Sequence, residues 1–143
     1  IIDILKSHKP ALSEKYHLSE LGLFGSFARG DFNEQSDIDI LVDANTNYTL
    51  QDIRKVMPSF DEAGVSWLEE PFPPQDRKAY ELARTLGRVP FAAGENHYTR
   101  YEFATLLDDG NVQFIQPDLS KAGGITESLR IAAMALHPHR KRF

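Results

Sequence analysis

The chain has 143 residues, and this length predicts a single domain over residues 1–143. It carries a net charge of −5, 41% hydrophobic residues and no cysteine. This composition excludes disulfides and thiolate metal sites and favours a reducing compartment, so we predict a cytoplasmic protein. We predict no membrane partner, since no apolar run approaches the length of a membrane span and no signal-peptide pattern is evident. We predict no strong nucleic-acid binding either, since the C-terminal "HRKRF" is the only basic cluster.

The first third of the chain predicts one helix and two strands. Apolar residues recur at helical spacing over residues 2–17, where Pro10 predicts two short helices or one helix with a break. A short strand is predicted over 21–26, and it runs into a turn at Gly25 and Ser26. A second strand is predicted over 37–43.

From residue 38 onward, apolar strands alternate with amphipathic segments. The strands are predicted at 38–43, 65–69, 90–94 and 112–116, and the amphipathic segments at 49–62, 74–87, 100–109 and 124–136. Such βα units predict an α/β fold with an open, mostly parallel sheet of about five strands and an N-terminal helix. The 21–26 strand is expected beside the 38–43 strand.

The sheet is expected to form either a partial barrel or a sandwich, and a doubly wound layout is consistent with the pattern. In the sandwich, the N-terminal helix covers the second face of the sheet. Without that cover, free edges and exposed apolar strand residues favour association with a second copy of the chain. We expect Trp67 to pack against a helix, and the residues expected at the exposed face are Val42, Leu68, Phe91, Phe114 and Ile115.

Each of the four repeated strands ends in an acidic residue or is followed by one. Asp43, Glu69, Glu95 and Asp118 follow one another at spacings of 26, 26 and 23 residues. Because the carboxyl ends of parallel strands share one edge of a sheet, these carboxylates are expected to converge there. A divalent cation would relieve their repulsion, and oxygen ligands favour Mg²⁺ or Mn²⁺. The alternative for each acid is a helix N-cap or a loop charge.

Most of the chain resembles the barrel domain of the enolase superfamily, and especially its mandelate-racemase-like sugar-acid dehydratases. The resemblance runs from about Ile40 to Ala135, through the motifs "VDANTNYTLQDIRKVM", "GVSWLEEPFPP", "AAGENHYTRYEF" and "IQPDLSKAGGITESLRIAAMA". It implies that a base removes the proton α to a carboxylate and that Mg²⁺ stabilises the resulting enediolate. The metal ligands that the resemblance implies are Asp43, Glu69 and Glu95.

The same resemblance implies three further site residues. Asp118 would orient a catalytic histidine, which corresponds to His139 in "LHPHRKRF", and Lys121 lies in the loop after Asp118. His139 follows the last predicted helix almost directly, so we expect it not to reach Asp118. In this family the loop with Asn96 and His97 faces the substrate, and the alternative for His97 is an ordinary loop residue.

The N-terminal part resembles a different family, the minimal polymerase-β-type nucleotidyltransferases. The resemblance rests on "LFGSFARGD" followed by "SDIDILVD" and covers residues 1–40. It implies that Asp37 and Asp39, which alternate with isoleucines and face one side of a strand, hold the metal ions of a nucleoside triphosphate. Gly25, Ser26 and Arg29 would contact its phosphates.

The two resemblances overlap at "DIDILVD", and we interpret the chain as a chimera with a crossover near residues 38–43. A nucleotidyltransferase-like segment (1–40) would be joined to a partial enolase-type barrel segment (41–143). Neither site is complete by motif, so we predict little or no catalysis and residual Mg²⁺ binding. The alternatives are a dehydratase fragment acting on a sugar acid, a Mg²⁺-dependent nucleotidyltransferase acting on a nucleotide, and a purely structural or binding module.

Overall fold

The computed structural model describes residues 2–18, 20–36 and 39–136. Two of the predicted site residues, Asp37 and His139, lie outside the described residues. Asp39 is the first residue of a described strand. The predictions of a single domain and of self-association stay predictions.

Seven helices and five strands follow one another in the described part of the chain. They are α1 (Ile2–Tyr16), β1 (Glu20–Phe24), α2 (Gly25–Arg29), β2 (Asp39–Asp43), α3 (Leu50–Glu62), β3 (Leu68–Glu69), α4 (Arg77–Ala83), β4 (Phe91–Ala93), α5 (Thr99–Asp109), β5 (Phe114–Ile115), α6 (Leu119–Ala122) and α7 (Ile125–Ala135). Pro10 lies inside α1 without ending it, and Gly25 and Ser26 begin the short helix α2.

The five strands form one sheet in the order β1-β2-β3-β4-β5. Strand β1 is antiparallel to β2, and the other neighbours are parallel. This confirms the predicted fold class. Because right-handed crossovers between successive parallel neighbours place every helix on the same side, the arrangement corresponds to the partial barrel and not to a doubly wound sheet.

The core lies between the sheet and its helices. Val42, Leu68 and Phe91 pair in register across β2, β3 and β4, so their side chains share one face, and all three are buried. They belong to the same core cluster as Ile53 and Met57 of α3. The prediction that these three strand residues are exposed is therefore wrong, because they point towards the helices.

The opposite face of the sheet carries polar and aromatic side chains. Phe114 is 45% exposed there, as predicted. Its ring centroid lies 5.4 Å from that of Trp67, and the Trp67 indole N–H donates to Glu69. Trp67 therefore lies on the acid-bearing face, and the expectation that it packs against a helix is wrong. Side chains alternate along a strand, so Trp67 and Glu69 share the face that Leu68 avoids.

Helix α1 packs on the same face of the sheet as helix α3. The ring centroids of Tyr16 and Phe60 lie 5.8 Å apart, and the Tyr48 hydroxyl donates to the Tyr16 carbonyl. Leu12 and Tyr16 also line an apolar cavity together with Val42. The prediction that the N-terminal helix covers the opposite face is wrong, because the apolar side chains of α1 meet those of the helix-bearing face.

Among the helices of the described residues, none combines the length and the apolar character that crossing a membrane requires.

Candidate metal site at the strand ends

Two of the predicted metal ligands lie side by side at the ends of neighbouring strands. Asp43 is the last residue of β2 and Glu69 the last of β3, and the two pair in register. Directly paired residues of parallel strands point to the same face. Glu95 follows two residues after Ala93, the last residue of β4. On the other side of Asp43, Glu20 of β1 pairs with it.

The electrostatics of Asp43 show the influence of the acids around it. Burial is the main cause that raises the pKa of Asp43 to about 6, and the charges of Glu69, Glu95 and Glu20 raise it further. The backbone N–H of Asn45 acts in the opposite direction. Acids that raise a neighbour's pKa favour the uptake of a proton or of a cation.

Each of the three proposed ligands is held by a donor from its own part of the chain. Asp43 Oδ1 accepts from the Asn45 backbone N–H at 2.7 Å. Glu69 Oε2 lies 3.5 Å from Trp67 Nε1, and Glu95 Oε1 lies 3.1 Å from Asn96 Nδ2.

The donor chemistry fits a cation that prefers oxygen, such as Mg²⁺ or Mn²⁺. Within residues 2–18, 20–36 and 39–136, however, no three His, Cys, Asp or Glu side chains are arranged to hold a metal ion. The carboxylates thus share an edge of the sheet without being gathered into a chelating set.

Asp118 and Lys121 lie at the same edge, beyond β5. Asp118 caps α6, since its Oδ1 accepts from the Ser120 backbone N–H at 2.7 Å and from the Ser120 hydroxyl at 2.6 Å. These two bonds lower the pKa of Asp118. The Lys121 ammonium donates to Asn96 Oδ1 at 2.8 Å. The N-cap alternative therefore describes Asp118 in this structure, while its role towards a histidine stays a prediction.

The sequence reasoning missed Glu70, which is 2% exposed. Its Oε2 accepts from Asn96 Nδ2 at 2.6 Å, and its Oε1 lies 3.4 Å from the Asn96 backbone nitrogen. Burial raises the pKa of Glu70, and the bond from Asn96 opposes this. Glu70 lies just beyond β3 with a φ of 37°, so strand alternation in the sequence does not indicate where its side chain points.

His97 is buried and packs against α5. It is 5% exposed, and its ring centroid lies 5.6 Å from that of Phe103 in α5. Among the described residues, its Nδ1 has no hydrogen-bond partner. Burial lowers the pKa of His97, so its imidazole is neutral at pH 7. The position favours a packing role for His97.

The nucleotide-binding residues predicted from the second resemblance lie around α2. Gly25 begins this helix with a φ of 69°, and the Ser26 carbonyl accepts from the Gly30 N–H at 2.9 Å. Arg29 pairs with Asp31 at 3.1 Å, and both side chains are exposed. The phosphate-binding role of these residues stays a prediction.

Comparison with known proteins identifies the family to which the chain belongs. Residues 29–141 match the family model described as "Enolase C-terminal domain-like". A D-galactonate dehydratase from Variovorax paradoxus is 45% identical over 69 residues, which are 48% of this chain and 18% of that protein. The matched family range includes residues 29–40, which the nucleotidyltransferase resemblance also covers.

Solved structures give the same result. The crystal structure of a member of the enolase superfamily from Polaromonas sp. JS666 shares 55% identity with a TM-score of 0.68, over 71% of this chain and 27% of that one. L-Talarate dehydratase from the same organism, complexed with Mg and L-glucarate, shares 26% identity with a TM-score of 0.64, over 68% of this chain and 28% of that one. The chain thus spans 18% to 28% of the lengths of these proteins.

Proposed function

The chain belongs to the enolase C-terminal domain-like family, and we propose that residues 39–118 form the metal-binding strand ends of a sugar-acid dehydratase of this family. The observation that carries the proposal is the in-register pairing of Asp43 and Glu69 on neighbouring parallel strands. Glu95 follows the next strand, and its charge acts on Asp43. The likeness to a D-galactonate dehydratase and to an L-talarate dehydratase that holds Mg and L-glucarate supports a sugar acid as the substrate class.

Asp43, Glu69 and Glu95 would hold Mg²⁺, or Mn²⁺ in its place. When bound, the ion would offset negative charge on the carboxylate of the sugar acid as the neighbouring C–H bond loses its proton. Trp67 and Asn96 each bond to only one oxygen, Glu69 Oε2 and Glu95 Oε1, so the second oxygen of each carboxylate would bind the ion. Since the pKa of Asp43 is about 6, binding would displace a proton in mildly acidic solution.

The remaining site residues act through hydrogen bonds. Asp118 is ionised at neutral pH because Ser120 lowers its pKa, so it could accept a hydrogen bond from an imidazole. His139 is the proposed imidazole, and it lies outside the described residues. Lys121 is engaged with Asn96 in this structure.

The interpretation as a recombined chain with little or no catalysis stays a prediction, and turnover of a sugar acid above background would contradict it. Nucleotide transfer through Asp37 and Asp39 likewise stays a prediction, with Gly25, Ser26 and Arg29 at the phosphates. The family match favours the dehydratase fragment over these two interpretations.

Calorimetric titration with Mn²⁺ tests the proposal. Glu95→Gln is expected to abolish or strongly weaken binding, because it removes one of the charged ligands. Glu81→Gln is the matched control, since Glu81 pairs with Lys78 on the exposed side of α4. Equal affinities for the parent and Glu95→Gln, or no binding by the parent, would refute the metal site. Loss of binding in Asp39→Asn alone would instead support the nucleotidyltransferase interpretation.

A further inference from the structure

Asn96 links the ends of three strands by hydrogen bonds from its side chain. Its Nδ2 donates to Glu70 Oε2 at 2.6 Å and lies 3.1 Å from Glu95 Oε1. Its Oδ1 accepts from Lys121 Nζ at 2.8 Å. Glu70 directly follows β3, Glu95 and Asn96 follow β4, and Lys121 belongs to α6 after β5. One amide therefore joins chain segments that are 25 or 26 residues apart.

The chemistry of the partners allows only one orientation of this amide. A lysine ammonium has donors and no acceptor, whereas ionised carboxylates have acceptors only. If the amide turned over, its oxygen would face Glu70 and Glu95, and its NH₂ group would face Lys121. All three side-chain bonds would then be lost at once. Because Glu70 is 2% exposed, water cannot readily replace the lost partner there.

Glu95 depends on this orientation. The bond from Asn96 Nδ2 is the side-chain hydrogen bond that the structure shows for the Glu95 carboxylate. The same nitrogen is anchored on its other side by the buried Glu70. The place of Glu95 is thus set by an amide that is fixed at both of its ends.

We propose that Lys121 is a positioning residue, which fixes the amide of Asn96 and through it holds the Glu95 carboxylate at the candidate metal site. The part that concerns metal rests on the proposed function. Hydrogen-bond partners behind a metal ligand commonly change metal affinity by about 10- to 100-fold when they are removed.

The sign of the effect separates positioning from simple electrostatics. Lys121 is a cation near a site proposed to bind a cation. If it acted by charge alone, its removal would relieve repulsion and tighten metal binding. If it acts through Asn96, its removal frees the amide and Glu95, and metal binding weakens.

The test compares Lys121→Met with Lys78→Met in two measurements. Lys78 is the matched control because its ammonium pairs with Glu81 on the exposed side of α4. The first measurement is NMR of the Asn96 side-chain amide in the metal-free protein, with the signals assigned from Asn96→Asp. The second is the Mn²⁺ affinity by calorimetry, with circular dichroism to verify that each variant is folded.

We expect Lys121→Met to shift the Asn96 amide signals and to weaken Mn²⁺ binding by about tenfold or more, while Lys78→Met changes neither. Lys121→Arg keeps the charge and the donors, so it is expected to bind Mn²⁺ more tightly than Lys121→Met. It also remains informative if the methionine variant does not fold.

Unshifted amide signals in Lys121→Met, or unchanged or tighter Mn²⁺ binding, would overturn the inference. If the parent binds no Mn²⁺, the proposed function is refuted, and the amide signals alone decide whether Lys121 orients Asn96.

Discussion

Replacing Asp43 by asparagine should make the metal-free protein less sensitive to pH. The pKa of this carboxyl is raised from 3.8 to about 6, mainly by burial and then by Glu69, Glu95 and Glu20. An acid whose pKa is raised on folding stabilises the protein fully below its unfolded pKa of 3.8, and this contribution is lost as the pH rises through about 6. The amide of the variant would not titrate, and its oxygen could still accept the bond from Asn45.

The size of the effect follows from the pKa shift. A shift of about two units corresponds to about 3 kcal/mol. Asp43 is only half-buried, and solvent screening reduces this to roughly 1.5 kcal/mol over the whole window. About 1 kcal/mol of it falls between roughly pH 4.5 and 7.5. For a chain of this length, that corresponds to roughly 3 °C in melting temperature.

The assay is thermal unfolding followed by circular dichroism, with a chelator present, in acidic and neutral buffers. The melting temperature of Asp43→Asn minus that of the parent should increase by roughly 3 °C from about pH 4.5 to about pH 7.5. Glu81→Gln should show no such change, because Glu81 lies on the exposed side of α4. A difference that stays flat or falls with pH would show that burial and the neighbouring acids do not raise the pKa of Asp43 on folding.

Two further predictions concern the framework of the site. Gly94 has a φ of 145°, and a Cβ there would lie 2.8 Å from the Gln116 backbone nitrogen. Gly94→Ala should lower the free energy of unfolding in urea by about 1–3 kcal/mol. Gly64→Ala should lower it clearly less, because a Cβ there would meet nothing within 4 Å. Equal losses in the two variants would contradict the close approach at Gly94. Arg100 Nη1 lies 3.0 Å from both carboxylate oxygens of Glu127, and this ion pair joins α5 to α7. Arg100→Met should lower the free energy of unfolding by less than about 1 kcal/mol and increase hydrogen exchange in α7. The loss of stability should become smaller in high salt, which screens the ion pair. A loss that salt leaves unchanged would indicate a packing contribution of Arg100 instead.

The positions of the strands could be predicted because each is a short apolar run that ends in an acid. The observed strands are shorter than predicted, as in β3, where residues 65–69 were expected and Leu68–Glu69 pair. The face that each side chain occupies was harder to predict. An uninterrupted apolar run such as "ILV" before Asp43 shows no alternation, so the sequence does not indicate which residue meets the helices.

The acids of the candidate site could be predicted, but their partners could not. Asp43, Glu69 and Glu95 stand at regular spacing, and the equal length of the βα units places them at one edge. The bonds of Asn96 reach residues about 25 positions away in both directions. Such contacts depend on how neighbouring loops pack, and no local pattern encodes that.

The local donors explain how several acids can share one edge of the sheet. The charges of Glu69, Glu95 and Glu20 add to burial in raising the pKa of Asp43, so repulsion between Asp43 and these acids is not fully relieved. Asn45, Trp67 and Asn96 supply donors to Asp43, Glu69 and Glu95 respectively, which offsets part of that cost without gathering these acids together. The remaining repulsion favours any ligand that brings positive charge, so cation binding should stabilise the fold by mass action. A melting temperature that rises with Mn²⁺ in the parent, and less in Glu95→Gln, would connect the stability of the sheet edge to its proposed chemistry.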